Sequence, residues 1–476
     1  MGRALFLAPV ILAAMLACVV GGALLVSHSP GFAALLVLGI LLAGLTFFAP
    51  KAGLVILVLM MLFSPEVSVG QSAFRQVTLR GDDIIVLLIA MGWLGQVARR
   101  KEGPILRWTP LNLPIFCMAG VIVISGLVNV VTNNVSVTNA AMFGAKRLEY
   151  FLVFFMVTSI LRDWNDVKAV LPPFLGACAI ISVIGIVQFF AFPGTELVAG
   201  GVTSTFGLGE ANTLGGFSLM VFCVSFGLAT GVKAAWHRWA LMGLCVLSAL
   251  CLVLTYSRGA YVALAFSLLA LLIFDRTWRL WKYLLWYGVP AVGLLALVVM
   301  VGEMIRAAPV VDAVDTVQSQ VASLVDVATK GPTADPSMRA RWIAWDEAID
   351  HFKQHPVLGM GVGSRSMGWY DSHWFRELAE TGLAGILVFL WLQLSAFRLV
   401  FGESRKAEGA LKGAALGLLG AQVGLWVHGL SAENFYTIRT TEPFFFLLGL
   451  IAVGHLHRLE EAAAAEPARG CQHAPT

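Results

Sequence analysis

Residues 339–382 read RARWIAWDEAIDHFKQHPVLGMGVGSRSMGWYDSHWFRELAETG, and they form one long polar passage in a chain that otherwise consists of apolar segments. Trp342, Trp345, Ile349 and Phe352 recur at three- and four-residue spacing, which predicts an amphipathic helix over the first half of the passage. Pro356 is expected to end that helix, and the letters GMGVGS after it predict a glycine-rich turn. A folded element of this kind, rich in guanidinium and imidazole groups beside a membrane, is where chemistry is expected.

Outside this passage the composition is that of an integral membrane protein. The chain has 476 residues, of which 58% are hydrophobic and only 13% are charged, whereas soluble domains carry roughly a quarter charged residues. The seven cysteines show neither a disulfide framework nor metal-ligand spacing. The sequence contains no phosphate-binding loop and no dinucleotide fingerprint, so no cytosolic energy source is visible.

The apolar runs predict an all-α polytopic integral membrane fold of about 12–14 transmembrane helices with one large extracytoplasmic loop. A crossing takes about 17–25 apolar residues. On that measure there are fourteen candidate segments, centred at residues 4–26, 32–49, 53–64, 82–98, 111–131, 143–161, 168–190, 211–231, 238–256, 258–275, 283–302, 379–401, 410–430 and 441–457. The second and third segments are short, so the count could also be twelve.

Alternate connections between these segments are basic, which predicts the orientation. By the positive-inside rule these connections are cytoplasmic, and both termini join them. The basic residues are Arg99, Arg100, Lys101, Arg162, Lys168, Lys233, Arg238, Arg276, Arg279, Lys282, Arg405, Lys406 and Lys412. The chain then divides into a transmembrane bundle of about eleven helices (1–302), a periplasmic loop with an amphipathic helix (303–378), further transmembrane helices (379–458) and a disordered cytoplasmic tail (459–476).

Several charged or polar residues interrupt the apolar pattern on the predicted extracytoplasmic side. They are Arg75, Arg80, Lys146, Arg147, Glu149, Glu210, Asn212 and Arg258. Each has a structural interpretation, because arginines at helix ends snorkel to the interface and short polar side chains cap helices. The tryptophans of the loop likewise suit an interfacial belt. Several arginines on one face also suit a multiply anionic head group, because the guanidinium fork pairs with phosphate oxygens at two points.

Five segments resemble the O-antigen ligase and polymerase family of bacterial envelope glycosyltransferases. They are KRLEYFLVFF (146–155), STFGLGEANTLGGF (204–217), TYSRGAYVALA (255–265), RARWIAWDEAIDHFKQHPVLGMGVGS (339–364) and DSHWFRELAETGLAG (371–385), and the resemblance covers roughly residues 140–400. It implies a GT-C-like helical membrane bundle in the bacterial inner membrane with one large periplasmic loop. It also implies an enzyme that joins a glycan from an undecaprenyl diphosphate carrier to a sugar or lipid A-core acceptor, without a nucleotide or metal. Other envelope polysaccharide assembly proteins are expected partners, and nucleic acid is not.

Two departures from the family pattern bear on the site. An arginine that often precedes the TFG-like turn is absent here, where Gly201 stands. The ligase histidine is expected nine residues before the glutamate of ETG, but that position is Asp371, and the histidine is His373. Both departures leave room for a polymerase of repeat units as well as a ligase.

The resemblance and the charge pattern together give a set of candidate residues. Arg258, Arg147, Arg339 and Arg341 are expected to bind the diphosphate. Either His373 or Asp371 is expected to take the proton from the acceptor hydroxyl. Trp345, Trp369, Tyr370, Glu210 and Asn212 are expected to contact the glycan. No cofactor and no metal is expected, because His351 and His355 have no third ligand.

Two other functional classes fit a polytopic membrane protein. A flippase or exporter of lipid-linked glycans would place charges along a central path near the midplane, whereas here the polar groups gather at one face. A polytopic sensor or scaffold, without catalysis, would use the loop to bind a partner, but it leaves the family-like segments unexplained.

Overall fold

The computed structural model describes residues 30–64, 66–72, 75–99, 105–191, 211–275, 282, 308–331, 335–364 and 370–470. Fourteen helices lie in these ranges. They are α1 (Pro30–Phe48), α2 (Pro50–Phe63), α3 (Gly81–Arg99), α4 (Asn112–Val131), α5 (Val137–Ile160), α6 (Trp164–Ala191), α7 (Ala211–Gly231), α8 (Ala235–Leu254), α9 (Arg258–Phe274), α10 (Ala308–Lys330), α11 (Pro336–Gln354), α12 (His373–Lys406), α13 (Gly409–His428) and α14 (Ile438–Gly470).

The all-α polytopic membrane fold predicted from the apolar runs is confirmed. Twelve of the fourteen predicted segments fall on described residues, and each of the twelve is a helix; the segments at 4–26 and 283–302 lie outside the described residues. By length and composition, seven helices of the described chain are able to cross a membrane, namely α3, α4, α6, α7, α8, α12 and α13. Three further apolar helices are shorter, at Gly39–Phe48, Pro50–Phe63 and Arg258–Phe274.

The predicted connection at 65–81 contains a feature that the apolar pattern does not indicate. Strands β1 (Glu66–Ser72) and β2 (Arg75–Arg80) form an antiparallel hairpin in which Glu66 pairs with Arg80. The register shifts between Ser68 and Gly70, as in a β-bulge.

Helices α7 and α13 form the centre of the bundle and pack with their backbones close together. A methyl group added at Gly227 would collide with the backbone of Gly413 and Gly417, and one added at Gly417 would collide with the carbonyl of Cys223. Glycines four residues apart allow this approach, as in other membrane helix pairs. The contact brings the first residues of α7 and the last residues of α13 to the same end of the bundle.

The glycine-rich turn after α11 is docked onto a break in α12. Gly382 leaves the helical conformation, with φ 65° and ψ −158°, so α12 consists of two segments, residues 373–381 and 383–406. The amide of Met360 donates to the carbonyl of Ala379 at 2.9 Å, and the amide of Leu383 donates to the carbonyl of Pro356 at 2.9 Å. A side chain at Gly359 would collide with the carbonyl of Glu380. Glycine at this position therefore allows the backbone of the turn to contact the backbone of α12.

The final helix differs from the predicted disordered tail. Helix α14 continues to Gly470, so residues 459–470 are helical. Buried Glu403 of α12 binds this helix through Arg458, with a Nε–Oε2 distance of 3.1 Å and a Nη2–Oε1 distance of 2.6 Å, and through His455. The predicted loop also contains two helices, α10 and α11, rather than the single amphipathic helix expected from its pattern.

Candidate active site

Arg258 lies at the first position of α9 and reaches into the loop that holds α10 and α11. Its Nη1 donates to Oδ2 of Asp335 at 2.6 Å and its Nη2 donates to Oδ1 at 3.0 Å, which is a two-point pair. Ser323 of α10 contacts both Arg258 and Asp335. The hydrogen bonds from Arg258 lower the pKa of the Asp335 carboxyl, so this group is ionised at neutral pH.

Asp335 also caps the first turn of α11. Its Oδ1 accepts a hydrogen bond from the amide of Met338 at 2.9 Å, and Pro336 occupies the first turn. Asp before Pro is a helix-start signature. One carboxylate therefore fixes the start of α11 and its position relative to α9.

Arg341, one turn into α11, faces Asp371. Nε of Arg341 lies 3.6 Å from Oδ2 of Asp371, and this Nε has no hydrogen-bond partner although it is buried. Partial burial lowers the pKa of Arg341, and Asp371 opposes that effect. Arg341 also interacts electrostatically with Arg258 and Asp335. These four side chains, with Ser323, are called the Arg258–Asp371 cluster below.

Asp371 is the member of this cluster whose carboxyl is most accessible. Its side chain is 42% exposed, and it precedes α12 with a left-handed backbone, φ 47°. The next residues hold it in place, because the Ser372 hydroxyl and the His373 amide both donate to the carbonyl of Gly429. Partial burial raises the pKa of Asp371, against the lowering effect of Arg341. The carboxyl is therefore accessible and more basic than an ordinary aspartate.

His373 is buried, whereas the Asp371 side chain is partly exposed. Its ring is fully buried among aromatic side chains, with the centroid of Phe389 at 4.6 Å and that of Phe435 at 5.4 Å. Neither ring nitrogen has a hydrogen-bond partner. In this conformation the imidazole packs in an apolar pocket and is not presented to a substrate.

Arg147 lies in a separate buried ion network that joins α5 to α12. Its guanidinium pairs with Glu377 and Glu380, and its centre lies 5.4 Å from the ring centroid of Tyr436. Arg376 completes the network through Glu380 at 2.9 Å and through Glu433. Buried opposite charges in such a network depend on one another, so Arg147 holds the first segment of α12 against the bundle.

The structure places the remaining candidates around the cluster or outside the described residues. Arg339 is exposed on the first turn of α11. The Trp345 ring stacks on Phe375 with centroids 4.9 Å apart, and the hydroxyl of buried Tyr370 contacts Nδ1 of His351 at 2.7 Å. Asn212 accepts a hydrogen bond from Ser257, next to Arg258. Glu210 and Trp369 lie outside the described residues.

The structure therefore brings together Arg258, Arg341 and Asp371, and it places Arg147 and His373 elsewhere. Sequence reasoning missed two members of the cluster, Asp335 and Ser323. The Asp335-Pro336 pair carries a helix-start signal, but no local pattern connects it with Arg258. In the part of the chain that the structure describes, no three His, Cys, Asp or Glu side chains are grouped so that they could hold a metal ion.

Comparison with known families bears on residues 243–390, which match the family model described as O-antigen ligase (Wzy_C). The matched region runs from α8 into the second segment of α12, so it includes every member of the Arg258–Asp371 cluster. No curated protein sequence matches the chain. The resemblance to the O-antigen ligase and polymerase family seen in the sequence is thus confirmed over residues 243–390.

Proposed function

We propose that this protein is a membrane glycosyltransferase of surface polysaccharide assembly that takes a glycan from undecaprenyl diphosphate and joins it to a sugar acceptor. In this proposal the reaction takes place at the periplasmic face of the inner membrane. The observation that carries the proposal is the Arg258–Asp371 cluster. Two arginines and an accessible carboxyl meet there, at the junction of a membrane helix with the loop helices. The O-antigen ligase domain supports the same role.

Arg258 and Arg341 are the proposed diphosphate ligands. The two-point geometry between Arg258 and Asp335 is the geometry that phosphate oxygens also use. Asp335 therefore occupies the guanidinium donors that the carrier needs, and the diphosphate replaces it on binding. Asp335 keeps a role after this exchange because its carboxyl still caps α11.

Asp371 is the proposed general base. Its carboxylate removes the proton from the acceptor hydroxyl while the hydroxyl oxygen attacks the anomeric carbon of the donor sugar. The bond from that carbon to the diphosphate oxygen breaks, and its electron pair leaves with the diphosphate, where the arginines stabilise the negative charge. The exposure of Asp371 supports this role over His373, whose ring is enclosed by Phe389 and Phe435.

The acceptor separates two forms of the proposal. A polymerase adds the glycan to another lipid-linked repeat unit, whereas a ligase adds it to a lipid A core. The resemblance covers both activities, and the described residues contain no feature that distinguishes one acceptor from the other. Both forms place the same demand on the cluster, because both break the same carrier bond.

Purified protein in lipid nanodiscs, given an undecaprenyl-diphosphate repeat unit, tests the proposal through the lengths of the products. A ladder of lengths is expected from a polymerase, and transfer to an added lipid A core from a ligase. Asp371→Asn should reduce either product by about 10²–10⁴. Asp350→Asn is the matched control, because Asp350 is an exposed carboxylate of α11 that pairs only with Lys353 at 2.8 Å among the described residues. Carrier translocation in proteoliposomes without product formation would contradict the proposal.

A further inference from the structure

A buried chain of hydrogen bonds lies directly beside Arg258. Nδ1 of His428 is 3.0 Å from Oδ1 of Asn434, and the Asn434 amide nitrogen donates to the carbonyl of Leu425 at 3.0 Å. Because that amide oxygen can only accept, Nδ1 carries the imidazole proton and Nε2 presents its lone pair. The hydroxyl of Ser257 carries one proton and has two acceptors within reach, Nε2 of His428 at 3.4 Å and Oδ1 of Asn212 at 2.7 Å. These four side chains are called the polar node.

The polar node joins four separate parts of the chain. Asn212 lies in the first turn of α7, Ser257 precedes α9, His428 ends α13, and Asn434 lies in the connection to α14. His428 and Asn434 are fully buried, and Ser257 is 4% exposed. Polar groups enclosed within a membrane bundle are costly, and function is the default explanation for them. The serine–histidine–asparagine order is that of a nucleophilic triad, but a hydroxyl this buried has no access to a substrate.

Two glycines show how closely the surrounding helices approach the node. A methyl group at Gly216 of α7 would lie 2.7 Å from Oδ1 of Asn434 and 3.1 Å from Nδ1 of His428. One at Gly259 of α9 would overlap the hydroxyl of Ser431. The helix backbones therefore lie directly against the node, and a shift of the His428 ring would displace the start of α9.

Arg258 takes its position from this arrangement. Ser257 caps α9, with its hydroxyl accepting a hydrogen bond from the amide of Ala260 at 3.4 Å. Tyr256, the residue before it, has a left-handed backbone with φ 55°, a conformation that persists where surrounding contacts enforce it. The left-handed backbone of Tyr256 and the cap formed by Ser257, which is part of the node, together fix where the Arg258 side chain leaves the backbone.

We infer that His428 is a positioning residue that acts through Ser257 to aim the Arg258 guanidinium at the carrier diphosphate. This inference rests on the proposed function, because it takes Arg258 as a diphosphate ligand. His428 touches neither donor nor acceptor, and it acts through the geometry of the first turn of α9. Its loss should therefore lower turnover only as long as Arg258 is present to be aimed.

A double-mutant cycle tests this dependence. His428→Leu removes the ring's polar contacts with Asn434 and Ser257 at similar side-chain volume. It should lower kcat about tenfold, the order of magnitude for the loss of one positioning contact. The same substitution in an Arg258→Ala background should cause no further loss, because interacting residues are not additive. His428→Gln, which keeps one donor and one acceptor, should restore part of the activity.

Gln422→Leu is the matched control for burial. Gln422 lies on α13 and is as buried as His428, and its amide nitrogen donates to the Gln393 carbonyl at 2.9 Å. Gln422→Leu should lower activity by the same factor in the wild-type and Arg258→Ala backgrounds, and its effect on protein abundance should also be the same in both. Equal losses for His428→Leu in both backgrounds would show a purely structural role and overturn the inference. Full activity of Arg258→Ala alone would instead contradict the proposed role of Arg258 and remove the basis of the inference with it.

Discussion

Arg258 and Asp335 form a bidentate ion pair, with a Nη1–Oδ2 distance of 2.6 Å and a Nη2–Oδ1 distance of 3.0 Å. The two residues are 77 positions apart in the sequence. The pair connects the first residue of an apolar helix to the cap of a loop helix. It therefore determines which face of α11 meets the bundle, and it brings Arg341 towards Asp371. The predictions below follow from this geometry and from the contacts that support it.

Arg258→Lys should lose about 10²–10³ in rate, because one ammonium does not reproduce a two-point contact with a diphosphate. Initial rates with the lipid-linked donor, at equal protein abundance in the membrane, measure this loss. Arg458→Lys is the control, since Arg458 makes a comparable two-point pair with Glu403 in another part of the chain. Near wild-type turnover in Arg258→Lys would make Arg258 an interfacial anchor.

Asp335→Asn should tighten donor binding. Asparagine still caps a helix, but it competes with phosphate for Arg258 less well than a carboxylate does. An ion pair of this kind is worth up to about 1 kcal/mol, so the KM for the donor should fall by up to about fivefold. Steady-state kinetics at varied donor concentration give the KM. A raised KM would mean that Asp335 orients Arg258 and is not replaced by the carrier.

Asp371→Asn should reduce transfer by about 10²–10⁴, the range for loss of a general base, whereas His373→Phe should retain most activity. Phenylalanine suits a ring pocket built by Phe389 and Phe435 in which no hydrogen bond is made. The same assay run on both variants compares them directly. Loss of activity in His373→Phe, with its abundance unchanged, would assign the proton transfer to the imidazole.

The pH profile of kcat/KM should show an acidic limb set by Asp371. Burial raises the pKa of this carboxyl above its ordinary 3.8, and a base acts only when deprotonated. Activity should therefore be present above that raised pKa and should fall as the pH drops through it. A limb near about 6.5, the ordinary histidine value, would contradict the assignment.

Gly382→Ala should destabilise the protein. Gly382 has φ 65° and ψ −158°, a conformation that is essentially restricted to glycine and costs other residues on the order of 1–3 kcal/mol. The added methyl would also lie 2.6 Å from the amide nitrogen of Gly359. Thermal unfolding in detergent measures the loss. Gly402→Ala, also on α12, is the control, because a methyl group there meets nothing within 4 Å. Equal unfolding temperatures for both variants would show that the turn tolerates the change.

The sequence by itself determined the membrane class and the helices. Each apolar run needs only its own composition to be recognised, and every predicted run on the described residues is a helix. Segments of weaker apolar character give no such signal, so the sequence did not predict the β-hairpin at 66–80 or helix α10. The family segments also identified the domain without any structure.

Only the tertiary structure decided which polar residues share a site. Asp371 and His373 are two residues apart, and both suit proton transfer by residue type, yet one is exposed beside Arg341 and the other is enclosed by phenylalanines. Arg147 and Arg258 likewise look equivalent in sequence, but one is neutralised by two buried glutamates and the other lies in the loop junction. Burial and ion pairing depend on partners far away along the chain, and packing brings those partners together, so no local pattern contains that information.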